Sequence, residues 1–314
     1  MRNAFAEEIT KLAIEDLRIV LLSGDIGNRL FNPYKELHAN RFLNCGVAEA
    51  NMISMAAGMA MCGLRPVAYT ITPFITTRCL EQIRVDICYQ NVPVVIVGVG
   101  GGFSYASLGA THHSCEDIAF LRALPNMNVI CAGDAVETRL ALRAAVDTGH
   151  PTYIRIGKKG EPVIHKETPK FEIGKGIVLR EGSEVCLLST GNILPVALEA
   201  ANQLADTNIS VKVVSFHTIK PLDQELLSNV FATCSLVVTI EEHSKIGGLG
   251  GSVAEWLSDF PSQKAKLLRI GTPDAFLHET GEQDYARQRT GLTSKAIKEK
   301  ILGNLNRWKL LQQF

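Results

Sequence analysis

Short β-branched, apolar runs alternate with helical patterns along almost the whole chain, and that alternation narrows the fold more than anything else in it. In the first half the strand candidates are Ile19–Leu22, Phe42–Cys45, Val67–Ile71, Val94–Val99, Val129–Ala132 and Tyr153–Ile156. Helical patterns fall between them at 3–16, 49–62, 76–90, 116–123 and 135–148. Asp134 precedes the last of these with Glu137 three residues on, a capping-box spacing. Runs this short and this apolar read as strands buried on both faces, which is the pattern of parallel sheets covered by helices.

A stretch rich in charge, Gly and Pro at 157–176 interrupts the pattern and reads as an interdomain linker. The alternation then resumes with strands at Val185–Ser189, Val211–Phe216, Leu236–Ile240 and Lys266–Ile270. Helices are expected at 193–205, Asp223–Phe231 and 248–258, with a closing helix from Ser294. The expected class is α/β, with two doubly wound domains at 1–156 and 177–314, the first built on a mainly parallel sheet.

At 314 residues the chain can bury two such cores. Its 32 basic and 32 acidic residues cancel, which gives no electrostatic reason to expect nucleic acid or an anionic membrane as partner. The longest apolar run, around Val92–Val99, has the length of a buried strand and not of a membrane span. Eight cysteines at 45, 62, 79, 88, 115, 131, 186 and 234 include no C-x-x-C pair, and most lie in apolar segments. They read as small buried hydrophobes in a reducing, cytoplasmic compartment, and no metal-ligand spacing stands out.

Glu49 opens the helical stretch Glu49-Ala-Asn-Met-Ile-Ser-Met-Ala-Ala-Gly-Met-Ala60, which is almost entirely small and apolar. Such a helix is expected to be buried all round. Taken alone, an acid in its first turn offsets the helix dipole, worth roughly 0.3–1 kcal/mol at an exposed site. Its surroundings favour a chemical role. Asn44-Cys-Gly-Val-Ala-Glu49-Ala-Asn-Met, followed by Ala56-Ala-Gly-Met-Ala60, resembles the N-x-G-[IV]-A-E-x-x-M…A-A-G-[LM]-A block of the transketolase family. There the glutamate hydrogen-bonds the aminopyrimidine of thiamine diphosphate and activates the cofactor. The resemblance implies a transketolase-like pyrimidine-binding domain followed by a transketolase C-terminal domain, with Glu49 catalytic and in contact with the cofactor.

Three further segments extend the resemblance. Phe74-Ile-Thr-Thr-Arg78-Cys-Leu-Glu-Gln82-Ile-Arg84 is similar to the F-x-x-x-R-x-x-x-Q-I-R spacing of separately encoded C-terminal subunits. It implies Phe74 stacked on the aminopyrimidine and Arg78 beside the cofactor. Thr111-His112-His113…Glu116-Asp117…Leu121-Arg-Ala-Leu-Pro-Asn126 ends a glycine-rich loop after a strand and resembles the family's substrate block. By that likeness His112 serves in proton transfer and substrate binding, and His113 in substrate binding. Arg2 and Lys158 fall near family positions that hold a substrate phosphate, and Asp25 at a strand end is expected on the thiazolium side. Ordinary members carry an aspartate where this chain has Leu108, and a histidine near Gly100. Without those polar groups a changed acceptor is expected.

The family's G-D-G diphosphate and metal motif is missing; Gly24-Asp25-Ile26 does not match it. The resemblance therefore implies the C-terminal subunit of a split transketolase, transferring a two-carbon ketol unit to an aldose-type acceptor. A partner N-terminal subunit, in an α2β2 arrangement, would hold the diphosphate and Mg2+. The rival readings are the beta subunit of a 2-oxo-acid dehydrogenase and a non-catalytic scaffold of the same fold. Gly247-Gly-Leu-Gly250-Gly in the second half suggests a dinucleotide turn, but Val253 stands where the third glycine belongs, so close helix–sheet packing is the better reading.

Overall fold

The structure, a computed structural model, describes residues 1–27, 29–261 and 264–311. Twelve strands form two sheets. In the first half these are β1 (Ile19–Ser23), β2 (Phe42–Asn44), β3 (Arg65–Ile71), β4 (Val95–Val99), β5 (Asn128–Cys131) and β6 (Thr152–Ile156). The second half supplies β7 (Ile177–Arg180), β8 (Val185–Thr190), β9 (Val211–Ser215), β10 (Thr218–Lys220), β11 (Leu236–Ser244) and β12 (Lys266–Thr272). Every strand expected from the sequence is present, with ends displaced by a few residues as the criteria for strand ends allow.

The first sheet runs β10-β5-β6-β4-β3-β1-β2, and all its pairings are parallel except that of β10 with β5. The second runs β12-β11-β8-β9-β7, parallel except for β7. Alternation along the strands explains why both sheets read as continuous apolar runs. Leu21, Val67, Val97 and Ile154 face helices Arg2–Glu15 and Ala135–Asp147. Their neighbours Leu22, Ala68, Ile96 and Tyr153 belong to a second apolar cluster, which continues through Ile219 to Leu188, Phe216 and Trp256 of the other half. The two halves therefore share a core.

Three local expectations need correction. The stretch 76–90 is not one helix. It is broken into short turns up to Gln82 and a π-helical segment Ile83–Tyr89, because Pro73 and Thr76 (ψ −76°) interrupt regular geometry. Strands β7 and β10 were not expected from the sequence. The helix Glu49–Met61 is buried on one side through Met52, Ile53, Ala56, Ala57 and Ala60, whereas Asn51, Ser54, Met55, Gly58 and Met61 form an exposed stripe. One chain covers only one face of it.

The Asp134 cap is present: its Oδ1 accepts from Glu137 N at 2.8 Å. Glu137 returns a bond to Gly133 N (2.6 Å), one residue earlier than the usual box. Asp134 Oδ2 also accepts from Ile164 N and His165 N, so the cap fastens the connecting segment as well. No helix among the described residues is long and apolar enough to cross a membrane.

Candidate active site

Five parallel strands end on the same edge of the first sheet, and the turns leaving them carry the residues singled out by the sequence. Beyond β1 lie Gly24 and Asp25; beyond β2, Glu49; beyond β3, Phe74 and Arg78; beyond β4, the loop to His112 and His113; beyond β6, Lys158. This is where open α/β sheets bind ligands, because helix starts and loop ends converge there.

Glu49 is 2% exposed and stands in the first turn of its helix. Its Oε2 accepts from Arg78 Nη1 at 2.7 Å. The Arg78 guanidinium lies over the Phe74 ring, 4.4 Å from the centroid. Phe74 meets His112 edge-on at 5.1 Å, and His112 meets Tyr105 at 6.2 Å. Gly24 packs beside the acid: a Cβ there would lie 3.4 Å from Glu49 Cγ and 3.0 Å from Thr70 Oγ1. Asp25, at φ 51°, accepts from Asn44 Nδ2 at 3.0 Å, which ties the ends of β1 and β2 together.

His112 Nδ1 is engaged by Thr111 Oγ1 at 2.9 Å, leaving Nε2 as the nitrogen for a ligand. Burial, helped by the neighbouring His113, holds the His112 imidazole below its ordinary range. A neutral ring near pH 7 follows, fit to accept a proton. His113 turns elsewhere. It stacks edge-on against Phe103 (5.2 Å) and lines a cavity of about 260 Å³ between the two halves, together with Glu116 and Phe276. The structure thus separates the two histidines that the sequence grouped.

Tyr105 is the residue that sequence reasoning missed. Lys158 Nζ sits 4.7 Å over its ring, and Arg2 lies against its phenol. The ring fills the space beside Gly100, where a Cβ would come within 2.1 Å of it. Gly100 (φ +89°) is therefore excluded from bearing a side chain on two counts. Tyr105 gathers Arg2, Lys158 and His112 around one ring.

The second half grips this loop through buried ions. Glu242, fully buried, accepts from Phe103 N (2.7 Å) and Gln283 Nε2 (2.8 Å) and pairs with Arg287 Nε. Asn192 Nδ2 donates to Ser104 Oγ at 2.9 Å. Beneath the loop, Arg155 donates to Asp117 Oδ2 (2.9 Å), Ser114 O (2.8 Å) and Glu242 O (3.0 Å), and Tyr153 donates to the same Asp117 oxygen (2.7 Å). Three adjacent ionisable residues at a strand end, Glu241-Glu242-His243, were the available signal for this grip.

Glu241 accepts from Leu249 N (2.7 Å) and Gly250 N (2.8 Å), so the chain's own carboxylate fills the helix start that a phosphate would need. A Cβ on Gly248 would lie 1.9 Å from it. That is the physical reason the glycine-rich turn is not a dinucleotide site.

His243 beside it is fully buried and held down to about 4 by desolvation. Between pH 4 and its ordinary 6.5 the unfolded chain binds the extra proton, so stability is present above 6.5 and lost as pH falls through 4. Burial pushes Glu241 up to about 7, with the opposite sign: its contribution falls as pH rises from 4.5 to 7. His243→Asn should therefore remove about 3 kcal/mol of acid sensitivity. Urea unfolding at pH 4 and pH 7 measures it, and an unchanged difference between the two pH values would count against it.

Comparison with known proteins agrees with this geometry. The family model described as "Transketolase, pyrimidine binding domain" matches residues 1–161, and "Transketolase, C-terminal domain" matches 174–297. A protein of Methanocaldococcus jannaschii described as a putative transketolase C-terminal section is 36% identical over 98% of this chain and 96% of its own length. One of the two subunits of an apulose-4-phosphate transketolase of Phocaeicola vulgatus is 35% identical, covering 87% of both chains. A solved structure described as a split gene transketolase, inactive beta4 tetramer, has TM-score 0.87 and 34% identity over 97% of both chains. This chain belongs to the transketolase family, as a C-terminal subunit made of a pyrimidine-binding domain and a C-terminal domain.

Proposed function

We propose that the chain is one half of a two-subunit, thiamine-diphosphate-dependent ketol transferase of the cytoplasm, moving a two-carbon unit from a ketose to an aldose-type acceptor. The observation that carries this reading is the buried Glu49 carboxylate beside Phe74 and His112 at the carboxyl edge of the sheet. The residues present fit an aminopyrimidine ring: an acid in a dry site, an aromatic ring for stacking, and side-chain-free space at Gly24. Bound thiamine diphosphate supplies the electron sink for breaking and remaking a carbon–carbon bond beside a carbonyl.

This chain's own residues then bind, orient and manage protons. Glu49 exchanges a proton with a ring nitrogen of the aminopyrimidine, in surroundings that keep that hydrogen bond strong. His112, neutral at pH 7, takes or returns a proton at a substrate hydroxyl. Arg2 and Lys158, gathered at Tyr105, hold an anionic tail on the sugar, and Asp25 lines the β1 side. The apulose-4-phosphate relative, and a 6-deoxy-6-sulfo-D-fructose transketolase subunit of a Clostridium species that is 35% identical, are named for sugars with such a tail. His113, which lines the cavity between the halves, acts only on a substrate long enough to reach it.

The diphosphate and Mg2+ fall to an N-terminal partner in an α2β2 assembly, since G-D-G is missing here. The exposed stripe of Met55, Gly58 and Met61, on the helix that begins with Glu49, fits burial against such a partner. The solved relative's description as an inactive tetramer agrees with a need for one. Calorimetric titration of thiamine diphosphate with Mg2+ tests the reading, using this chain alone and then paired with a candidate N-terminal subunit. Binding to the pair and not to the single chain is expected. A folded, associated pair that binds nothing would overturn it.

A further inference from the structure

Arg78 touches both walls of the proposed pyrimidine pocket at once. Its Nη1 donates to the buried Glu49 Oε2 at 2.7 Å while its guanidinium lies 4.4 Å over the Phe74 ring. A planar, N–H-bearing group that stacks on Phe74 and hydrogen-bonds Glu49 makes the two contacts asked above of the cofactor's heterocycle. One carboxylate and one ring face cannot serve both groups.

We propose that Arg78 is a resident stand-in for the aminopyrimidine, seated on Glu49 and Phe74 in the chain without cofactor and displaced from both when the ring enters. The proposal rests on the reading of Glu49 and Phe74 as the pyrimidine pocket.

The physical need is plain. A carboxylate 2% exposed would otherwise lie buried without a partner, which is costly to leave. Guanidinium suits the post because it is weakly hydrated, planar and stacks on aromatic faces. Release is equally built in. The Arg78 side chain is 46% exposed, and Glu49 is its one side-chain hydrogen-bond partner among the described residues. It stands on a short irregular turn, Thr77–Cys79, rather than on a long helix. Swinging into solvent therefore breaks a single hydrogen bond and a stacking contact. A second displaced partner, Phe74, keeps its edge-on contact with His112.

A site that must first be vacated binds more weakly, in proportion to the fraction of chains in which Arg78 has already left. Removing the occupant should tighten cofactor binding even though it deletes a charged residue from the pocket wall. A direct cofactor contact would give the opposite sign.

The experiment is calorimetric titration of thiamine diphosphate with Mg2+ into the two-subunit complex, for the wild type, Arg78→Met and Arg78→Lys, with melting curves of each free subunit. Arg78→Met should bind about fivefold or more tightly than wild type, and its free subunit should melt lower, because Glu49 has lost its partner. Arg78→Lys keeps the charge without the planar face and should fall between the two. Equal or weaker binding by both variants would overturn the stand-in. A wild-type complex that binds no cofactor would instead overturn the functional reading beneath it, a result distinguishable because no variant would then bind either.

Discussion

Glu49→Ala is expected to lower kcat of the two-subunit enzyme by about 10²–10⁴-fold, the range that a positioned proton-transfer group supplies. The reason is location. The carboxylate is buried at the edge where the strands end, beside the one aromatic ring placed to stack. Its loss removes the acid without disturbing the core, since Met52, Ile53 and Ala56 of the same helix still pack. Glu49→Gln should fall nearly as far in kcat while binding the cofactor better than the alanine variant, because it keeps a hydrogen-bonding group and loses only the transferable proton. Steady-state kinetics and melting curves on both variants check this. Full turnover by Glu49→Ala would remove Glu49 from the mechanism.

Arg155→Met should cost about 3–5 kcal/mol of stability, as breaking a fully buried ion pair from one side does. The pair is dry: Arg155 is 2% exposed and Asp117 is 1% exposed. Without the guanidinium, Asp117 retains only Tyr153, and the carbonyls of Ser114 and Glu242 lose their donor. For a domain of this size the midpoint of melting should drop on the order of 10 °C. Activity should fall as well, because Arg155 underlies Gly101, where a Cβ would lie 2.7 Å from the guanidinium carbon. Adding Asp117→Asn should restore part of the stability, since no buried charge is then left alone. Scanning calorimetry of the single and double variants decides it. A double variant no more stable than Arg155→Met would show that the charge is not the cause.

What could be read in advance followed from local periodicity. Strands such as Val95–Val99 and Leu236–Ile240 announced themselves because both of their faces are buried. The Asp134 cap and the helix beginning at Glu49 were legible because their bonds span only a few residues. Pairing across the chain was not. The β10 strand, three residues long, has no pattern of its own and exists because β5 offers it an edge. The π-helical segment Ile83–Tyr89 keeps helical side-chain spacing, so a change of hydrogen-bond register leaves no trace in the sequence. At the site, the positions of Glu49, Phe74 and His112 on one edge follow from the parallel sheet, whereas the grip of Glu242 on Phe103 joins residues far apart in sequence. Tyr105 escaped notice because its role is to gather neighbours that only the fold brings to it.

The antiparallel seating of β10 on β5 has a consequence for how the protein is made. Thr218 pairs with Ile130, and Cys131 N donates to His217 O at 2.7 Å, so the first sheet stays open at β5 until the ribosome has released residue 220. At about 5–20 residues per second, that edge waits for several seconds as an unpaired ladder, the kind that recruits other chains. A fragment ending in the connecting segment at 157–176 would carry that exposed edge permanently. During synthesis the two halves are therefore a single unit, and the second completes the first.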